Sequence, residues 1–278
     1  MSFAHKDTGL WRWGNGFAAL LVSGLLAGCA GGQISRPLSD EVAAGWQAQV
    51  VEAAGIRMAM ARHGVGEEPL YIYIEGDGRA YLSRSQVSAD PTPQNPVALR
   101  LAQADGGNAL YMARPCQYVD APKRRECKDR KLYTSGRWTV PVVDAYVDIL
   151  SKEYAEHGPL TLVGYSGGAY IALAAASRLP EGAVARIVTV AGNLLPNEVF
   201  THHKVSKVEV APLDWGKLTR IDQLHYVGSD DAVIPTGLRH AYVAAAGKAG
   251  AEAVRTGLWR WVEVGATHGK GWDGLRLR

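Results

Sequence analysis

At 278 residues and 47% hydrophobic composition, the chain is long enough to bury one large core, and one domain accounts for it better than two. Its formal net charge of +3 is too small and too spread to point to nucleic acid. No HExxH or paired zinc spacing is found, so metal catalysis is not expected, and no cofactor is called for.

In chain order, Lys6 and Arg12 precede an apolar run, 17–27, with the charge and length of a secretory signal and too few residues to span a bilayer comfortably. The run ends in Leu26-Ala27-Gly28-Cys29. This resembles the lipobox of bacterial lipoproteins, which implies that 1–28 is a signal peptide, that Cys29 becomes the lipidated first residue, and that 29–38 is a tether. A plain signal peptide with a chance cysteine and an uncleaved anchor are the alternatives. Ala30 stands where an aspartate would hint at inner-membrane retention, so the expected place is the outer membrane, facing the periplasm. With Cys29 taken by lipid, Cys116 and Cys127 remain as a pair in an oxidising compartment and are expected to form a disulfide.

Residues 39–278 are expected to form the folded domain. Ser39-Asp40-Glu41 is a helix-start signal for 42–54, with Trp46, Val50 and Val51 on its apolar face and Gly55 as its stop. Alternation at Ile56, Met58 and Met60 predicts a half-buried strand. A polar turn leads to a second strand at 70–74, and the closeness of the two predicts an antiparallel ribbon. Helices and strands then alternate: helix 96–104, strand 108–112, helix 141–157, strand 160–165, strands at 187–191 and 224–227, helix 237–249 and strand 258–264. Such alternation means a mostly parallel sheet with helices on both faces and active residues at the strand carboxyl ends. The basic run 123–131 reads as a solvated loop held by the disulfide, or as a patch leaning on anionic lipid headgroups.

The chain is organised around Gly164-Tyr165-Ser166-Gly167-Gly168, between the strand 160–165 and an alanine-rich helix. A strand-to-helix turn this tight leaves no room for flanking side chains, so Ser166 is held out above the sheet. The helix that follows aims N–H groups and a partial positive charge at an anion formed beside the serine. A serine hydroxyl needs a base, and the base needs an orienting group. Asp230 and Asp231 follow the strand at 224–227, and His268 follows the last strand.

The order Ser166, Asp231, His268, each after its own strand, resembles the α/β-hydrolase fold, and the likeness covers the chain from about Ile56 onward. Gly228, Asp231 and Pro235 match that family's acid loop, which implies Asp231 as the acid, with Asp230 as the alternative. Within the superfamily the chain is similar to bacterial α/β-hydrolase lipoproteins carrying Ile-Glu-Gly-Asp-Gly-Arg and Ala-Arg-Pro-Cys-Gln-Tyr, found here at 74–79 and 113–118. By this resemblance Ser166 attacks an acyl carbonyl, His268 moves the proton, and Asp231 fixes the imidazole tautomer. The N–H of Gly167 is expected to be one oxyanion donor, and the N–H of Asp77, in the loop that occupies the place of the family's His-Gly segment, is the candidate for the other. An acidic side chain is out of place there unless it turns away or meets a cation, for which Arg79 and Arg114 are candidates. Residues 193–222 are expected to form a short cap, with His202 and His203 at the surface or substrate rim and His225 packed in the core. Tyr81, Tyr118, Trp138 and Trp215 are candidate pocket aromatics. The expected function is hydrolysis of a carboxylic ester or thioester through an acyl-enzyme, acting on a small-molecule acyl substrate. An amidase, peptidase or acyltransferase using the same triad, or a non-catalytic envelope-binding lipoprotein, are the alternatives.

Overall fold

The computed structural model of the chain describes residues 36–64, 66, 69–119 and 124–278. The expected signal segment and Cys29 lie outside them. Among the described residues, eight strands form one sheet: β1 (Gln47–Ala53), β2 (Ile56–His63), β3 (Tyr71–Ile74), β4 (Ala109–Met112), β5 (Leu160–Tyr165), β6 (Val184–Val190), β7 (Asp222–Gly228) and β8 (Trp259–Val264). Their order across the sheet is β1-β2-β4-β3-β5-β6-β7-β8. Pairing is antiparallel between β1 and β2 and between β2 and β4, and parallel from β4 through to β8. The helices are α1 (Val97–Asp105), α2 (Val140–His157), α3 (Gly167–Arg178), α4 (Pro196–His202), α5 (Trp215–Leu218), α6 (Leu238–Ala245) and α7 (Gly247–Arg255).

Three expectations need correction. The helix predicted over 42–54 is absent: its start signal makes one 3-10 turn at Leu38–Asp40, and 47–53 is strand β1. Gly55 is not a helix stop but half of a two-residue hairpin turn, in which Ala54 and Gly55 both adopt positive φ, 47° and 76°. That conformation twists in the sense that lets β1 and β2 pair. Nor do β2 and β3 form a ribbon. The inner three residues of β3 are buried, with Ile72 and Ile74 in one core cluster and Tyr73 in the other. A strand apolar on both faces belongs in the sheet interior, and β3 sits between β4 and β5 while β2 pairs with β4. Lastly, the helix predicted over 237–249 is divided at Ala246, where Gly247 turns to φ 62° and starts α7.

The pleat divides the core in two. Ile72, Leu162, Trp138, Tyr146 and Leu173 pack on the side of α2 and α3, while Tyr73, Val163, Leu99 and Trp272 pack on the side of α1 and the carboxyl-terminal tail. Helix α3 is buried over all but its last residue. Its alanines, at 169, 172 and 174–176, make this close approach feasible. No helix among the described residues is long and apolar enough to cross a membrane.

Cys116 and Cys127 are joined in a disulfide, their Cα atoms 5.9 Å apart. It closes a stretch of the loop after β4 in which the regular structure among the described residues is one 3-10 turn at Arg125–Cys127. Replacing both cysteines with serine should lower the unfolding free energy by about 3 kcal/mol, the loop-closure value for so short a span. Urea unfolding of the oxidised protein and the double variant measures the difference.

Candidate active site

Strand β5 delivers Tyr165 to the sheet edge, and the chain reverses into α3 through Ser166, whose φ of 48° and ψ of −120° are unfavourable for a residue with a side chain. Such a conformation costs on the order of 1–3 kcal/mol and persists where the surroundings over-determine it. Here the Ser166 N–H donates to the Val190 carbonyl at 3.0 Å, and the Ser166 carbonyl accepts from the N–H groups of Ala169 and Asn193 at 3.1 and 2.9 Å. The glycines beside it are required by approach distance. A Cβ on Gly168 would stand 2.3 Å from the Ile74 carbonyl oxygen, and one on Gly167 would stand 2.1 Å from Asp77 Oδ1.

The loops after β5, β7 and β8 converge. His268 Nε2 lies 3.0 Å from Ser166 Oγ, and His268 Nδ1 lies 2.9 Å from Asp231 Oδ2. Because a carboxylate only accepts, Nδ1 carries the proton and Nε2 is left to receive one from the hydroxyl. Asp231 is buried, and its Oδ1 accepts from the N–H groups of Val233 and Ile234 at 2.8 and 3.0 Å. Burial acts to raise its pKa, but the hydrogen bond and charge of His268 and these two N–H donors outweigh that and hold it below the ordinary carboxylate value. Asp230 points elsewhere and bonds the Ser229 hydroxyl. The His268 backbone is pinned by Tyr165, whose hydroxyl donates to its carbonyl at 2.9 Å, and by the Trp272 indole N–H at 3.0 Å.

The loop after β3 brings Glu75-Gly76-Asp77-Gly78 against Ser166. Asp77 does meet a cation, and the sequence identified half of the arrangement: Arg114 Nη1 donates to Oδ1 at 2.9 Å, while Oδ2 accepts from Arg137 Nε at 2.7 Å. Arg137 sits in an irregular loop, and nothing in its sequence neighbourhood marks it. No sequence pattern singles out Glu75 either. It is fully buried, lines the cleft, and accepts from the Gly76 N–H at 2.9 Å and the Tyr111 hydroxyl at 3.2 Å. Burial pushes its pKa up to about 7 against the opposing pull of these donors and the N–H groups of Ala98 and Leu99.

The cleft over Ser166 has a volume of about 490 Å³ and is lined by Asp77, Arg79, Tyr81, Asn95 and His268 among others. Of the four aromatic candidates only Tyr81 borders it. Trp138 is buried behind the elbow and donates its indole N–H to the Gly167 carbonyl at 3.0 Å. Residues 193–222 pack largely along α3: Tyr170 bonds the Ala211 carbonyl, the Asp214 N–H donates to Ser177, and Lys217 reaches the Leu179 carbonyl. None of them lines the cleft. His203 bonds the carbonyl of Val233, a cleft residue. His225 is buried between Thr189 and Gln223, and burial pushes its pKa down to about 3, so it stays neutral.

No protein-family model and no curated protein matches the chain. Among solved structures it is similar to an alpha-beta serine hydrolase homologue from Coxiella burnetii, with 18% identity over 83% of this chain and 91% of that one, at a TM-score of 0.50. An esterase domain from a Rhodothermus marinus protein aligns at 14% identity over 80% of this chain and 89% of that one, with a TM-score of 0.47. The strand order, the parallel core of the sheet and the Coxiella likeness establish that the chain has the α/β-hydrolase fold.

The raised Glu75 pKa makes stability depend on pH. Below its ordinary value of 4.5 the group is protonated folded and unfolded; as pH rises to about 7 the unfolded chain releases the proton first. Native stability relative to Glu75→Gln should therefore fall by about 3 kcal/mol across that window and level off above it. Urea midpoints of both proteins, followed with pH, test the sign.

Proposed function

We propose that this protein is a serine hydrolase that cleaves a carboxylic ester or thioester through an acyl-enzyme. The observation that carries the reading is the continuous relay from Ser166 Oγ through the His268 ring to the buried Asp231 carboxylate. In this mechanism Ser166 attacks the acyl carbonyl while His268 Nε2 takes its proton, and Asp231 stabilises the imidazolium that results. The negative charge on the carbonyl oxygen is received by the N–H groups of Gly167, at the start of α3, and Asp77. His268 then gives the proton to the leaving alcohol or thiol. Water attacks the acyl-enzyme by the same route in reverse, with His268 as base, and releases the acid and free Ser166. The cleft suits this chemistry because it opens directly onto Ser166 and His268 and mixes polar groups with the Tyr81 and Tyr165 rings.

In the same reading the enzyme is held at the cell envelope by lipid on Cys29, a view supported by the charged and apolar pattern that leads into Leu26-Ala27-Gly28-Cys29. Labelled palmitate should be incorporated by the native chain in a bacterial host and not by Cys29→Ser.

A fluorophosphonate probe should label the native protein and leave Ser166→Ala unlabelled. Against p-nitrophenyl acetate, Asp231→Asn should lower kcat by roughly 10³- to 10⁴-fold through loss of the correct tautomer. Asp230→Asn should stay close to native. Labelling that survives in Ser166→Ala excludes Ser166 as the nucleophile, and peptide amides turned over faster than esters would move the enzyme to the amidases.

A further inference from the structure

We propose that Arg114 and Arg137 are positioning residues of the oxyanion site, acting through Asp77; the inference rests on the reading of Ser166 as the nucleophile. Asp77 creates an electrostatic problem. Its backbone N–H belongs to the oxyanion hole, but its carboxylate lies against Gly167, the other donor, close enough that a Cβ there would collide with Oδ1. A lone carboxylate at that place would repel the charge that develops on the substrate oxygen.

Each carboxylate oxygen is instead held by its own guanidinium, Oδ1 by Arg114 at 2.9 Å and Oδ2 by Arg137 at 2.7 Å. Two cations and one anion leave the trio with a net charge of +1. The arginine side chains are only 3% and 9% exposed, so their field is weakly screened. Both are anchored from behind. Arg114 Nη2 donates to the Arg137 carbonyl and Arg137 Nη1 to the Thr134 carbonyl, each at 2.5 Å. The Arg137 guanidinium also lies 4.0 Å from the centre of the Trp138 ring.

Consecutive residues thus grip both halves of the hole: Arg137 holds the Asp77 side chain, and Trp138 holds the Gly167 carbonyl. Neither arginine lines the cleft; both stand behind Asp77. Their effect reaches the reaction as orientation of the Asp77 peptide and as compensation of its charge.

The test is a mutant cycle on the full chain with p-nitrophenyl acetate. Arg137→Gln should lower kcat roughly 10- to 100-fold, within the range for loss of oxyanion stabilisation, with KM changed less than about threefold. Adding Asp77→Asn to Arg137→Gln removes the exposed charge and should restore kcat to within about fivefold of native, because the two changes are coupled. Arg137→Lys, which keeps the cation, should stay within about tenfold of native and carries the test if the glutamine variant does not fold. Native kcat in Arg137→Gln, no recovery in the double variant, or a lysine variant as impaired as the glutamine one would each overturn the proposal. Fluorophosphonate labelling separates the two readings: labelling retained by Ser166→Ala overturns the nucleophile assignment itself, whereas a native protein labelled only at Ser166 with an indifferent Arg137→Gln overturns the arginine role alone.

Discussion

Helix α3 meets the end of β3 at a distance that only hydrogen atoms permit. At Gly168 the next heavy atom a side chain would meet is a backbone oxygen, which cannot move aside without breaking the sheet. This approach turns the chain sharply enough to force Ser166 to positive φ, and the price in strain is met by three backbone hydrogen bonds from β6 and its following loop and from α3 itself. It also brings the loop after β3 alongside the start of α3, where a Cβ on Gly167 would stand 2.1 Å from Asp77 Oδ1. The presentation of Ser166 and the nearness of the loop after β3 to α3 are therefore consequences of one packing contact.

Around that contact the carboxylates are treated in different ways. Asp231 is buried yet held ionised by an imidazole and two backbone donors. Asp77 is partly open to the cleft and matched by two buried cations. Glu75, deepest of all, has no ion-pair partner among the described residues, and burial raises its pKa instead. The proximity of three acids to one site is tolerable because each has its own means of limiting negative charge. The sheet supplies the geometry, since all three lie in loops at the carboxyl ends of strands β3 and β7.

Much of this was visible in the residues. The elbow, the order of serine, acid and histidine, and the parallel half of the sheet follow from short-range signals: small residues where the backbone must turn tightly, apolar runs bounded by polar turns, and acid and base loops placed after strands. The amino-terminal part is ambiguous in sequence because Gly55 is equally suited to end a helix or to turn a hairpin, and only the pairing of β1 with β2 decides between them. The position of β3 was misplaced for a related reason: nearness in sequence argues for a ribbon, but burial on both faces demands neighbours on both edges.

What the sequence by itself determined was the set of candidate reacting groups and the turn that presents Ser166, because these depend on residue type and on spacing within a few positions. Tertiary structure set Asp231, the residue expected from the acid loop, and not the alternative Asp230 against His268, added Arg137 to Arg114 beside Asp77, and placed Trp138 behind the elbow and out of the pocket. Those choices are made by contacts across 29 to 60 residues of chain, as from Trp138 to Gly167 or from Arg137 to Asp77, and by side-chain direction at adjacent positions such as Asp230 and Asp231. Neither distance in space nor direction is encoded in any local pattern; both emerge only when the sheet has brought its loops to a common edge.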